Sequence, residues 1–173
     1  MKRSWGTIIA ITLMAALIGT FACSSIPAKP STAGEKARDG RFIVYNDGTV
    51  LDTKTSLMWA AKDNGSDINW RDAKLYCENY RGGGYKDWRM PTLDELEGLY
   101  DERKPRSTSC DGGTSIHVAT ELIDTTCIYS WASEMSMTTS EYGIFNFDSG
   151  FRSAFSSSNV SLMCRVLPVR STR

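Results

Sequence analysis

The chain has 173 residues, 41% of them hydrophobic and 23% charged, with 20 basic against 20 acidic side chains. That composition is ordinary for a globular protein and, beyond an N-terminal leader, leaves room for one domain of about 130 residues. Removing Lys2 and Arg3 with the leader leaves 18 basic against 20 acidic groups, a net charge of −2, so nucleic acid, which usually demands a basic footprint, is not an expected partner, and a polyanionic sugar is weighed against.

In chain order, Lys2 and Arg3 precede an apolar run from Ile8 to Phe21 that ends at the small residue Ala22, the layout of a bacterial secretory signal over residues 1–22. The run is short for a membrane span, which needs about 20 residues. Thr20-Phe21-Ala22-Cys23 resembles a lipobox, although Leu is usual three residues before the cysteine and Phe21 is bulky for its place. Acylation of Cys23 would anchor the chain to a membrane through an N-terminal lipid. Ser24 after it resembles a sorting signal for the outer membrane, facing the periplasm or the surface. Residues 23–39, rich in Ser, Pro, Ala, Lys and Gly without apolar periodicity, read as a flexible tether, and residues 40–168 as the folded domain, followed by a tail over 169–173.

Arg41–Tyr45, Val50–Asp52 and Leu57–Ala60 have strand composition, with Asn46-Asp47-Gly48-Thr49 as a tight turn between the first two. Asn69 is placed to cap a helix from Trp70 to about Tyr80, whose inward face carries Trp70, Ala73, Cys77 and Tyr80. Asp87-Trp88-Arg89-Met90-Pro91-Thr92-Leu93-Asp94-Glu95-Leu96 reads as a corner that launches a second helix. Pro91 holds Met90 extended, and Thr92 with Glu95 three residues on forms a capping box. Asp101–Thr126 is polar and irregular, and Cys110 and Cys127 can close it, a cross-link contributing about 3 kcal/mol in the chain-entropy model. Strands return at Ile128–Ser133, at Tyr142–Phe147, at Phe151–Phe155 after an Asp148-Ser149-Gly150 turn, and at Val160–Leu167. With Cys23 acylated, four cysteines remain, and these allow three connectivities.

Candidate chemistry is sparse. His117 is the only histidine, which rules out a histidine cluster for a metal and reads as a surface residue. There is no Cys-x-x-Cys, and the carboxylate pairs Asp94/Glu95 and Asp101/Glu102 have helix-end explanations. No enzyme, metal or cofactor is expected. Glu134, Asn146 and Asp148 could offer oxygens to a cation, but turn and strand-edge roles explain them. Trp59, Trp70, Trp88 and Trp131 read as core. The residues left as ligand contacts are the basic set Arg103, Lys104 and Arg106, and the set Tyr142, Asn146, Asp148, Phe151 and Arg152.

Several motifs together resemble one family: Gly48-Thr49-Val50-x-Asp52-x-x-Thr55-x-Leu57-Met58-Trp59, Trp70-x-x-Ala73-x-x-Tyr76-Cys77, Gly84-Tyr85-x-Asp87-Trp88-Arg89-Met90-Pro91-Thr92-x-x-Glu95-Leu96, Tyr129-Ser130-Trp131-Ala132-Ser133 and Cys164-Arg165-Val166. The chain is similar, from about Gly40 to Leu167, to the C-terminal domain of the Legionella collagen-like protein. The resemblance implies an α+β, C-type-lectin-like fold with two helices on a short-stranded, mostly antiparallel sheet, stabilised by disulfides. The favoured connectivity, Cys77–Cys164 with Cys110–Cys127, includes the helix-to-last-strand bond such a fold would use. Members are commonly exported or surface-attached, and the named prototype binds glycosaminoglycans. The calcium-site motifs of C-type lectins (Glu-Pro-Asn or Gln-Pro-Asp, and Trp-Asn-Asp) are missing here. The expected role is therefore a non-catalytic domain that binds a glycan or an envelope protein, the alternative being a structural or assembly lipoprotein docked on another membrane protein.

Overall fold

The run Phe42-Ile43-Val44-Tyr45 is apolar at every position, which suits a strand buried on both faces better than one with a wet side. The computed structural model describes residues 33–108, 110, 113–136, 140–156 and 163–172, and bears this out. Its elements in order are β1 (Glu35–Asp39), β2 (Phe42–Tyr45), β3 (Thr49–Asp52), β4 (Leu57–Ala60), α1 (Trp70–Asn79), α2 (Leu93–Glu97), β5 (Tyr100–Ser107), β6 (Ser115–Val118), β7 (Tyr129–Met135), β8 (Glu141–Asn146), β9 (Arg152–Ser156), β10 (Cys164–Arg165) and β11 (Val169–Ser171). The strands form a five-stranded sheet in the order β1-β2-β3-β4-β11, a four-stranded sheet β10-β7-β8-β9, and the two-stranded β5-β6 hairpin. Every pairing is antiparallel except β10 with β7. This is an α+β protein.

The inner strands β2, β3 and β4 of the five-stranded sheet are buried on both sides. Phe42, Val44, Val50 and Trp59 point into the main apolar cluster with Leu96, Phe145 and Leu167. The alternate residues Ile43, Tyr45, Leu51 and Met58 enter a second cluster closed by Trp88. Between β2 and β3 the Asp47 carboxylate accepts from the Thr49 N–H (3.1 Å) and hydroxyl (2.7 Å), and Gly48 supplies the positive φ of 78° that the turn requires. Helix α1 begins as the sequence predicts, with the Asn69 side chain accepting from the Asp72 N–H, and it sends Ala73 and Cys77 into a third cluster with Met90, Trp131, Ile144 and Val166.

The corner before α2 touches all three clusters, through Trp88, Met90 and Leu96. Trp88 donates its indole N–H to the Gly82 carbonyl (3.1 Å) and meets Tyr80 edge to face at 5.0 Å. Arg89 exchanges two backbone hydrogen bonds with Val169 (2.9 and 3.0 Å), and the Pro91 carbonyl accepts from the Ser133 N–H (2.8 Å). The predicted capping box is present: Thr92 Oγ1 accepts from Glu95 N, and Glu95 Oε2 accepts from Thr92 N. The Arg89 guanidinium clasps the same Glu95 carboxylate with two bonds of 2.7 and 2.6 Å, while Glu134 on β7 caps the free Leu93 N–H (2.8 Å).

Four expectations need correction. Residues 35–39 of the expected tether are β1, an edge strand; its pairing with β2 is made by backbone, so the charged Glu-Lys-Ala-Arg-Asp sequence needs no apolar face and resembles a linker. The expected tail contains β11, which pairs with β4 and buries Val169 completely. The stretch from Asp101 is largely the β5–β6 hairpin, concealed by its charged, proline-containing sequence. Cys110 and Cys127 form the expected disulfide, but Cys77 and Cys164 are not joined to each other. Both are packed in the third cluster, where burial pushes both thiols up, Cys164 to about 12. Membership of one cluster does not by itself bring two sulfurs into bonding geometry, which needs closely apposed Cβ atoms. The signal segment, Cys23, the tether up to residue 32 and the Val160–Leu162 part of the expected last strand lie outside the described residues.

Burial pushes the Glu95 carboxyl up, but the Arg89 and Thr92 hydrogen bonds and the guanidinium charge outweigh this and hold it below its ordinary value. A depressed carboxyl contributes stability above its unfolded pKa, about 4.3, and loses that contribution as pH falls through the folded value. Glu95→Gln should therefore cost about 1 kcal/mol at pH 7, a figure kept low because Arg89 is partly exposed. The difference from the parent should disappear in acid, as urea unfolding at pH 7 and pH 3 would measure.

Candidate functional site

Strand β5 leaves the main cluster at Tyr100 and carries the basic residues outward. Beside the hairpin lies a groove of about 570 Å3 whose wall includes Arg38, Asp39, Arg103, Lys104, Arg106 and Glu121. Four cations thus face two carboxylates. The Lys104 ammonium reaches Asp39 (3.2 Å) and the Ala119 carbonyl (2.9 Å). A hydrogen bond from Thr120 holds Asp39 below the ordinary carboxylate range, with Lys104 adding to the effect against a small cost of burial. Arg103, 88% exposed at its side chain, pairs with Asp101 at 2.9 Å, and Arg38 pairs with Glu35 at 3.0 Å. Exposed pairs of this kind exchange readily for another anion, because each is worth about 0–1 kcal/mol.

Arg106 behaves differently. Its guanidinium turns inward to the Ile123 carbonyl (2.9 Å) and the Thr125 hydroxyl (2.8 Å), and burial lowers its pKa. It ties the hairpin to the 120s loop and is a structural arginine at the edge of the groove. His117, half-buried, sits with Nδ1 2.8 Å from the Glu102 carbonyl and its ring 5.8 Å from Tyr100, so it also braces the hairpin.

The second expected set does not converge on one place. Asn146 Oδ1 accepts from the N–H groups of Asp148 (2.8 Å) and Ser149 (3.2 Å) and builds the β8–β9 turn. Arg152 reaches across to Asp94 (2.7 Å) and Glu97 on α2. Tyr142 is stacked on Trp70, with centroids 4.3 Å apart. Asp148 and Phe151 stay exposed, Phe151 at 71%. Of the eight expected contacts, Arg103 and Lys104 share an accessible groove, Asp148 and Phe151 stand at the β8–β9 turn, and Arg106, Tyr142, Asn146 and Arg152 are occupied by the fold.

A second cavity, of about 320 Å3, lies between α1, the corner and β7, and has Trp70, Lys74, Glu78, Arg89 and Ser133 among its walls. Sequence reasoning put Trp70 in the core and passed over Lys74, Glu78 and Ser133. The missed signal was the polar i, i+4 pair Lys74/Glu78 on the same helix as an indole that is only half-buried.

Residues 48–170 match the family model of the Lcl C-terminal domain. No curated protein matches the chain.

Arg103 and Arg106 should separate cleanly by substitution. Arg106→Ala leaves buried acceptors unpaired and should destabilise the protein by about 2 kcal/mol, whereas Arg103→Ala should leave its thermal unfolding unchanged. Calorimetry of both variants checks this.

Proposed function

The chain belongs to the Lcl C-terminal domain family, and on that footing we propose that it is an exported, lipid-anchored, non-catalytic domain of C-type-lectin-like fold that binds an anionic glycan or protein at the cell envelope. The observation that carries this reading is the groove beside the β5–β6 hairpin, where Arg38, Arg103 and Lys104 stand in exposed, exchangeable pairs. The overall charge of the chain weighs against a polyanion, and each exposed cation of the groove already has a carboxylate partner, so binding here rests on exchange of these pairs and not on an excess of local charge. A ligand carboxylate or sulfate would replace Asp101 on Arg103 and Asp39 on Lys104 at little cost. The leader and Cys23 support attachment by lipid, and no helix among the described residues is long and apolar enough to cross a membrane. The structural or assembly lipoprotein has one observation in its favour, the exposed Phe151 at a hairpin end, which suits a protein partner.

A glycan and glycosaminoglycan array, probed with the full-length chain in a detergent without a sugar headgroup, tests the proposal. Saturable binding to anionic glycans should persist at physiological ionic strength and weaken at least tenfold in an Arg103→Ala/Lys104→Ala double variant. Silence across the array, with one envelope protein cross-linking stoichiometrically in cells, would favour the alternative.

A further inference from the structure

The cavity between α1, the corner and β7 shares no lining residue with the groove, and its chemistry is of another kind. Its wall is Trp70, which is immobilised twice: the indole N–H donates to the Ala132 carbonyl at 2.8 Å, and Tyr142 stacks on the ring. Met90, 4% exposed, adds a buried apolar surface. The rim is polar and balanced. The Lys74 ammonium lies over the Trp70 ring, 5.9 Å from its centroid, and 4.0 Å from Glu78, at the limit of an ion pair; both side chains are about half exposed, so Lys74 would swing aside to admit a ligand to the ring. Arg89 is already neutralised by Glu95. Thr92 Oγ1 accepts from Glu95 N, so its proton stays available to donate, and Ser133 is an exposed residue with a hydroxyl to offer.

Two cations are matched by two carboxylates, so no counter-charge is left for a charged ligand. What the site offers is a fixed flat wall, donors on Lys74, Thr92 and Ser133, and an acceptor on Glu78. That combination matches a ligand with one flat C–H face and a ring of hydroxyls that both donate and accept. The volume falls at the low end of small-ligand pockets, about 300–1,000 Å3, which suits a single ring. An extended peptide would want an open strand edge; β10 covers β7 only at Tyr129 and Ser130, but beside the cavity the Ala132 carbonyl and the Ser133 N–H are already taken by Trp70 and Pro91.

We infer that this cavity is a subsite for one neutral pyranose ring, stacked on Trp70 and held by Lys74, Glu78, Thr92 and Ser133. The inference rests on reading the protein as a glycan binder but not on the anionic groove.

The test is an NMR titration of the full-length chain, in a detergent without a sugar headgroup, with methyl pyranosides of glucose, galactose, mannose and N-acetylglucosamine. At least one should give saturating shifts at the Trp70 indole and at Ser133. Lys74→Ala and Glu78→Ala should each weaken that binding at least tenfold, and Arg103→Ala should leave it unchanged. Lys74 and Glu78 are surface residues of α1, so these variants keep the fold, whereas Trp70→Ala would also lose the Ala132 bond and the Tyr142 stack. No saturating shift with any of the four sugars, shifts that survive both substitutions, or stronger binding of methyl glucuronide than of its neutral counterpart would overturn the inference. If the anionic-glycan array still binds in that event, the subsite alone is wrong; if the array is also silent, the glycan reading falls with it.

Discussion

The bidentate contact between Arg89 and Glu95 is the constraint on which the rest of the structure depends. Glu95 also closes the capping box on Thr92, so one carboxylate fixes both the arm of the corner and the start of α2. A five-residue helix is too short to hold itself together, and this one persists because its N–H groups are met from three directions, by Thr92, Glu95 and Glu134. With the backbone so held, Trp88, Met90 and Leu96 are each delivered to a different apolar cluster. Arg170 completes the arrangement by pairing with Asp87 (2.7 and 2.9 Å) while its guanidinium lies 3.9 Å from the Tyr85 centroid, so the chain's last strand is bound to the corner by side chains as well as by backbone.

Local rules recovered what local chemistry decides. Asn69, Thr92 and Glu95 cap helices because short polar side chains next to apolar periodicity have few other uses, and Leu57–Ala60 is a strand because four apolar residues in a row must be covered on both faces. What was not legible is decided by partners distant in sequence. β1 is charged and becomes a strand only because β2 has an open edge, and Val169 is buried because Arg89 and Trp59 wait for it eighty and more residues earlier. Arg106 looks like part of a basic surface patch until the 120s loop folds over it. Trp70 looks like core until the neighbouring turn of α1 is seen to leave a space beside it. Cys77 and Cys164 were assigned to the same region of the fold, and they are there; burial without a bond between them was not readable from spacing.

The same corner links fold to chemistry. Its Arg89, Met90 and Thr92 wall the small cavity, while α2, which it launches, receives Arg152 from the β8–β9 hairpin. Recognition surfaces are most effective when rigid elements carry them, because little ordering cost remains at binding. Here the indole is locked from two sides, and the exposed ion pairs of the hairpin groove stay exchangeable.

Native-state hydrogen exchange tests the central claim most directly. If the corner unites the three clusters, the amides of Arg89, Val169, Ser133 and Leu93 should exchange only through global unfolding, with the same free energy as the amides of β3 and β4. Exchange of those four through a local opening well below the global value, while β3 and β4 stay protected, would show that the sheets hold together without the corner and would contradict the account.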